Sequence, residues 1–211
     1  MNPPTRILLG ALGLGSIGVG GYLLFSESGS NALAAAGGLP PPPFPSLPSH
    51  PSNLIQATGY MNGQPAGLDL APIGHGNHYL IPPAAEAFLR MEAAANADGV
   101  TFSINSSFRT PKQQDSLVSK LGRYNEGGLA AKPGYSPHQA GIALDINVGS
   151  SGRGTPGTNT AWGWLVGGRN AARYGFVNDY LATNGSGEAW HFSWLPARAP
   201  SFAGSGLFAG C

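Results

Sequence analysis

Two short segments carry side chains that could hold a metal ion and hydrolyse a bond. The first runs from Ser136 to Asp145 and contains His138, and the second runs from Glu188 to His191. Two imidazoles and one carboxylate bind zinc and leave a fourth position for water, while a further carboxylate nearby can serve as a general base. The segments therefore predict a zinc hydrolase with His138, Asp145 and His191 as ligands. Glu188 is the predicted base.

The surroundings of Asp145 suggest how its carboxylate is presented. A strand is predicted over Gly141–Val148, with Asp145 on the face opposite to the aliphatic residues. A carboxylate there is costly to bury unless a positive group pairs with it. Taken singly, His138 could be a surface histidine and Asp145 a salt-bridged strand residue. Their combination beyond a turn at Gly141 favours a metal site.

Glu188 and His191 stand three residues apart, so in a regular strand they would face opposite sides. We therefore expect Glu188 in the turn that enters a short aromatic strand over Trp190–Trp194. From there its carboxylate could reach a water on a metal held by His191. The alternative is an exposed glutamate and a half-buried histidine.

Arg109 lies at the junction of a predicted strand, Val100–Ile104, and a predicted helix from Pro111 to about Leu121 that Thr110 caps. A guanidinium fixed at the end of a strand can stabilise a carbonyl oxygen that becomes negative, or bind a substrate carboxylate. The alternative is an arginine in a surface ion pair.

Two more helices complete the predicted elements. The first covers Ala84–Ala97 after Pro82-Pro83, and the second covers Trp162–Tyr174. Helices and strands are interspersed without regular alternation. This order predicts an α+β fold with a small antiparallel sheet flanked by helices.

Composition excludes several other classes of site and partner. Charged residues make up 10% of the chain, its net charge is +1, and no basic patch stands out, so nucleic acid is not an expected partner. The single cysteine, Cys211, allows neither an internal disulfide nor a cysteine-based zinc site. His75 and His78 could indicate a second metal site, but the glycines around them favour a loop that lines the cleft.

The chain is predicted to have four parts. Residues 1–38 contain an uncharged run after Arg6, long enough to cross a bilayer, which could be a membrane anchor, a cleaved signal or a buried hairpin. Residues 39–52 are a proline-rich linker, 53–200 the catalytic domain and 201–211 a tail. An anchor or a signal would place the domain outside the cytoplasm, in a cell envelope or a virion.

Four sequence blocks resemble one known family. They are Ser-Ser-Phe-Arg-Thr-Pro-Lys-Gln-Gln (106–114), the segment 133–145 with its Ser-x-His-x-x-Gly-x-Ala-x-Asp pattern, the segment 164–176 with Trp-Leu, Asn-Ala and Tyr-Gly-Phe, and Glu-Ala-Trp-His-Phe (188–192). In this order they resemble the zinc D,D-/L,D-carboxypeptidases of the VanY type, which include related phage endolysin peptidases. Ser107 replaces the family's usual glycine, and Pro137 stands where an acidic residue is frequent.

The resemblance implies a fold, a cofactor and a substrate. It implies the VanY/Hedgehog-like metallopeptidase fold, with Zn²⁺ in a cleft and a peptidoglycan stem peptide as substrate. Arg109 would bind the developing oxyanion, and Gln114 and Ser136 would lie near the substrate. By the same resemblance Glu188 removes a proton from the attacking water and passes it to the leaving amine.

Several functions remain open from the sequence. The first is a carboxypeptidase that acts on D-alanyl-D-alanine-type stem ends. The second is an endopeptidase within stems or cross-bridges, as in a phage or virion lysin. A non-catalytic cell-wall binding module and a structural envelope protein are the alternatives outside enzymes.

Overall fold

The computed structural model describes residues 53–123, 126, 128–178 and 187–197. Their strands form two antiparallel sheets, one of three strands and one of four. The strands are β1 (Ile55–Met61), β2 (Gln64–Pro72), β3 (Tyr79–Leu80), β4 (Ile104–Ser106), β5 (Ala143–Ile146), β6 (Phe176–Val177) and β7 (His191–Trp194). The helices are α1 (Pro82–Ala97), α2 (Pro111–Leu121), α3 (Thr160–Trp162), a π-helical turn (Gly163–Gly167) and α4 (Asn170–Arg173). The predicted α+β class is confirmed.

The four-stranded sheet, in the order β4-β5-β7-β6, positions the candidate site. In its antiparallel register Asp145 of β5 stands directly opposite His191 of β7. Directly opposed residues of antiparallel strands project to the same face of the sheet. Strand pairing therefore brings together two side chains that are far apart in the chain.

The main hydrophobic core lies on the other face of β5. Leu144 and Ile146 are fully buried there, in the same cluster as Phe88 and Met91 of α1. Because side chains alternate along a strand, burial of these two residues leaves Asp145 on the opposite face. The predicted division of the strand into two faces is confirmed.

The three-stranded sheet was not predicted from the sequence. Its hairpin turns at Asn62-Gly63, whose φ angles of 53° and 78° suit a two-residue turn of type I′. Two hydrogen bonds of 2.9 Å hold the turn that precedes β5. Tyr60 N–H of β1 donates to Gln139 O, and Ile81 N–H, just before α1, donates to Gly141 O. The hairpin therefore helps to position the candidate site.

The strand predicted from Val100 is wrong in its position, because β4 begins only at Ile104. Val100 N–H donates to Ala95 O at 2.8 Å, so this residue completes the end of α1 and does not join a sheet. The predicted boundaries of α2 are confirmed, and its cap is a capping box between Thr110 and Gln113.

The helix predicted over Trp162–Tyr174 is divided into three pieces. Gly168 N–H donates to Gly163 O at 2.8 Å, which is the wider hydrogen-bond spacing of a π-helical turn. Arg169 then takes a positive φ of 54° before α4 begins. At Gly168 an added Cβ would stand 2.9 Å from Trp164 O, so glycine allows the close approach of the main chain at this break.

No helix in the part of the chain that the structure describes has the length and apolar character needed to cross a bilayer. The predicted N-terminal segment (1–38), linker (39–52) and tail (201–211) lie outside the described residues. The predicted domain boundaries therefore stay predictions.

Candidate metal centre

Three side chains from separate segments converge on one point. The His138 Nε2–His191 Nδ1 distance is 3.2 Å, and Asp145 Oδ1 lies 3.1 Å from His191 Nδ1 and 3.3 Å from His138 Nε2. Both imidazoles are buried, and the Asp145 side chain is 15% exposed. Among the described residues, this is the group of histidine and acidic side chains that could hold a metal ion.

His138 is held by the main chain that precedes β5. Gly141 N–H donates to its carbonyl at 3.2 Å, and Arg109 N–H donates to the same oxygen at 3.0 Å. Its ring Nδ1 lies 2.7 Å from Ser107 O. A carbonyl oxygen can only accept, so Nδ1 carries the proton and the lone pair of Nε2 points into the site.

His191 is oriented in the same manner from β7. Its Nε2 lies 3.1 Å from the hydroxyl oxygen of Ser193, which can accept a hydrogen bond from the ring N–H. Its Nδ1 then presents a lone pair towards Asp145 Oδ1 and His138 Nε2. Three electron pairs thus converge, an arrangement that a cation stabilises.

The spacing of the donor atoms fits zinc. Ligand atoms ~2.0–2.1 Å from a tetrahedral zinc stand about 3.3–3.4 Å apart, close to the three separations in this group. Two neutral imidazoles and one carboxylate also suit zinc chemically, and three protein ligands are usual where a fourth position serves catalysis. The structure brings the three predicted ligands together, and their role as ligands stays a prediction.

The electrostatics of the site keep His138 and Asp145 in the protonation states that a metal needs. Burial lowers the pKa of His138 below its ordinary value of 6.5, although Asp145 acts in the opposite direction. Burial alone would raise the pKa of Asp145, but the imidazoles of His138 and His191 beside it hold that pKa well below its usual range. The imidazole of His138 is thus neutral and the carboxylate ionised at neutral pH.

Glu188 lies in the turn that enters β7, as predicted. Its carbonyl accepts a hydrogen bond from His191 N–H at 3.0 Å, so the predicted base and the second imidazole belong to one turn. Its carboxylate Oε1 accepts a hydrogen bond from Arg153 Nη2. Sequence reasoning missed Arg153, because nothing in the glycine-rich loop around it indicates which carboxylate it meets.

Arg109 and Gln114 are joined in the structure. Arg109 Nη1 donates to Gln114 Oε1 at 2.8 Å, and Gln114 Nε2 donates to Ala131 O at 2.7 Å. Gln114 is fully buried, so its observed contacts fix the guanidinium. Ser136 is buried at the start of the turn that carries His138. Substrate contact by Arg109, Gln114 and Ser136 stays a prediction.

His75 and His78 pair with separate partners. His75 Nε2 lies 2.5 Å from Glu92 Oε1 of α1, a carboxylate that sequence reasoning did not connect with it. His78 Nδ1 lies 3.0 Å from Ser107 Oγ and helps to line a pocket next to Arg109. Burial, and then the charge of His75, lowers the pKa of His78. His78 thus borders the segment that orients His138.

Comparison with known proteins identifies the family. The family model described as VanY, D-alanyl-D-alanine carboxypeptidase, matches residues 77–197, which include every residue of the candidate centre. The chain belongs to the VanY family. A D-alanyl-D-alanine carboxypeptidase of Enterococcus faecalis (strain ATCC 700802 / V583) is 34% identical over 124 residues, covering 50% of this chain and 44% of that protein. The chain spans about half the length of the curated relatives that it matches.

Solved structures of VanY proteins share the fold. A zinc-bound mutant of the vancomycin resistance D,D-pentapeptidase VanY is 25% identical, with a TM-score of 0.51, and the match covers 66% of this chain and 86% of that one. VanYB in complex with D-alanine-D-alanine is 27% identical, with a TM-score of 0.51, and the match covers 66% of this chain and 84% of that one. The predicted VanY metallopeptidase fold is confirmed.

Proposed function

We propose that this VanY-family protein is a zinc-dependent peptidase that hydrolyses peptidoglycan stem peptides, as a carboxypeptidase of the D-alanyl-D-alanine type (D,D- or L,D-). The observation that carries the proposal is the convergence of His138 Nε2, Asp145 Oδ1 and His191 Nδ1 within 3.3 Å of one another. The zinc and the D-alanine-D-alanine in the related VanY structures support the choice of metal and substrate.

His138, Asp145 and His191 would hold the zinc through the three atoms that converge. When bound, zinc supplies Lewis-acid chemistry, acidifying water towards a pKa of ~7 and polarising the scissile carbonyl. Glu188 takes a proton from the attacking water and passes it to the leaving amine. The turn that joins Glu188 to His191 supports this role, because it ties the base to a ligand.

Arg109 would stabilise negative charge on the scissile carbonyl oxygen. Its guanidinium donates to Gln114 Oε1 and Ser106 Oγ, and its main-chain N–H donates to His138 O. A donor fixed before the reaction stabilises developing charge without reorganisation. Gln114 would act mainly by holding Arg109, and Ser136 by lining the substrate side of the turn.

A carboxypeptidase is proposed over an endopeptidase because both the matching family model and the Enterococcus relative carry that description. A non-catalytic binding module is disfavoured because the predicted ligands and the predicted base are all present. Action on the cell wall implies a position outside the cytoplasm. We extend the proposal to residues 1–38 as a membrane anchor or secretion signal, supported by the uncharged run after Arg6.

Digestion of purified muropeptides, followed by mass spectrometry, tests this function. The zinc-loaded protein should remove one terminal alanine, whereas an endopeptidase would yield two large fragments. Glu188→Ala should retain zinc and lose hydrolysis, by about 10²–10⁴-fold if the loss equals a general base contribution. Glu126→Ala is the matched control, because Glu126 pairs with Arg123 on the surface.

Metal analysis tests the ligand set separately. His191→Ala should lose zinc, while His75→Ala, a histidine paired with Glu92, should retain it. Normal zinc content in His191→Ala would remove that residue from the ligand set. Full hydrolysis by Glu188→Ala would refute its role as base.

A further inference from the structure

Arg153 contacts the predicted base from a loop that the sequence motifs do not include. The loop connects β5 to α3, and the Arg153 side chain is 26% exposed. Its Nη2 donates both to Glu188 Oε1 and to Leu129 O, the latter at 2.9 Å. One guanidinium nitrogen therefore joins the turn that carries the base to the segment that follows α2.

The loop around Arg153 is closed by its own hydrogen bonds. Thr155 Oγ1 donates to Gly152 O at 2.6 Å and accepts from Gly152 N–H at 3.1 Å. Ser150 Oγ also lies 2.8 Å from Thr155 Oγ1. These contacts give the loop a defined shape, so the Arg153 side chain extends from ordered main chain.

A main-chain bond fixes the loop against the turn of the predicted base. Gly154 N–H donates to Gly187 O at 3.0 Å. The residues that follow Arg153 and precede Glu188 are thus joined directly, beside the ion pair of their neighbours. Two contacts of different kinds set the position of the guanidinium relative to the carboxylate.

Because the Glu188 carboxylate is largely buried, its ion pair with Arg153 compensates for lost hydration and fixes its orientation. The Glu188 side chain is only 19% exposed, and a carboxylate withdrawn from water needs a charged or hydrogen-bonding partner. An arginine provides a permanent charge with fixed donor directions. The contact of Oε1 with Arg153 also limits rotation of the Glu188 carboxylate. Oε2 is then the oxygen that can accept a proton.

We propose that Arg153 is a positioning residue for catalysis, which orients the Glu188 carboxylate so that Oε2 accepts the proton of the attacking water. The inference rests on the proposed role of Glu188 as general base. Arg153 acts through Glu188 and is not assigned a contact with the substrate.

Steady-state kinetics of Arg153→Ala and Arg153→Lys on a muropeptide test the inference. We expect kcat of Arg153→Ala to fall about 10- to 100-fold, a part of what a general base contributes, with KM changed less than about threefold. Zinc content should equal that of the unmodified protein, and Arg153→Lys should recover part of kcat. Arg90→Ala is the matched control, because it removes an arginine–glutamate pair on α1.

A double variant isolates the path of the effect. In a Glu188→Ala background, Arg153→Ala should cause no further loss, because residues that act as a unit are non-additive. A higher kcat in Arg153→Ala, an unchanged kcat, or a higher KM alone would overturn the positioning role. A zinc-loaded unmodified protein that cleaves no stem peptide would overturn the proposed function and this inference together.

Discussion

Replacing Gly141 with alanine should disturb both the fold and the metal centre. Gly141 has a φ of +69°, and an added Cβ would stand 3.1 Å from Ile81 Cγ2 and 3.1 Å from Leu70 Cδ2. Its N–H donates to His138 O, and its carbonyl accepts from Ile81 N–H. Relief of the crowding would therefore move the main chain between His138 and β5.

The magnitude follows from two separable terms. A side chain in the left-handed region costs about 1–2 kcal/mol. Crowding against buried neighbours costs about 1–3 kcal/mol more, so Gly141→Ala should lower the free energy of unfolding by about 2–5 kcal/mol. Gly74 has a φ of +81° but no atom within 4 Å of an added Cβ, so Gly74→Ala carries only the first term.

In urea unfolding, the difference in stability between the two variants measures the crowding term alone. Competition with a chelator would then show weaker zinc binding in Gly141→Ala and unchanged binding in Gly74→Ala. Equal destabilisation of both variants, with zinc affinity unaltered in each, would refute the reasoning.

Three further predictions concern pH, capping and the core. Burial lowers the pKa of His138, so the unfolded chain binds its proton first. The stability that neutral His138 contributes is complete above pH 6.5, the ordinary histidine pKa, and is lost as the pH falls below that value. Thermal unfolding of the metal-free protein as a function of pH would detect this loss. Thr110→Ala removes the capping box of α2 and should cost about 1 kcal/mol in urea unfolding, whereas Thr110→Ser should cost much less. Phe88→Ala should cost about 3–5 kcal/mol, because Phe88 is fully buried, while metal analysis should find zinc content unchanged.

Local signals in the sequence were sufficient for several elements. The cap at Thr110 and the proline after it defined α2, and the two prolines at 82–83 marked the start of α1. The alternation around Asp145 assigned its face correctly, since one face of β5 is fully aliphatic. In each case a physical preference acts within a few residues, where sequence patterns report it directly.

Other features depend on contacts between distant segments. The pairing of Arg153 with Glu188 joins residues 35 apart, and that of His75 with Glu92 joins residues 17 apart. No local pattern indicates such partners, because the fold alone brings them together. The first hairpin is different, because Asn62-Gly63 is a local turn signal. The glycines in the two strands weaken the strand pattern on either side of it.

The placement of Asp145 opposite His191 makes metal loading a sensitive report on how β5 and β7 are aligned. A slip of one residue between them would turn one of the two donors to the far side of the sheet, even with every ligand still encoded. Misfolded chains with native-like secondary structure would then be distinguishable by their inability to retain zinc. Metal content could thus serve to separate correctly paired molecules from mispaired ones during refolding.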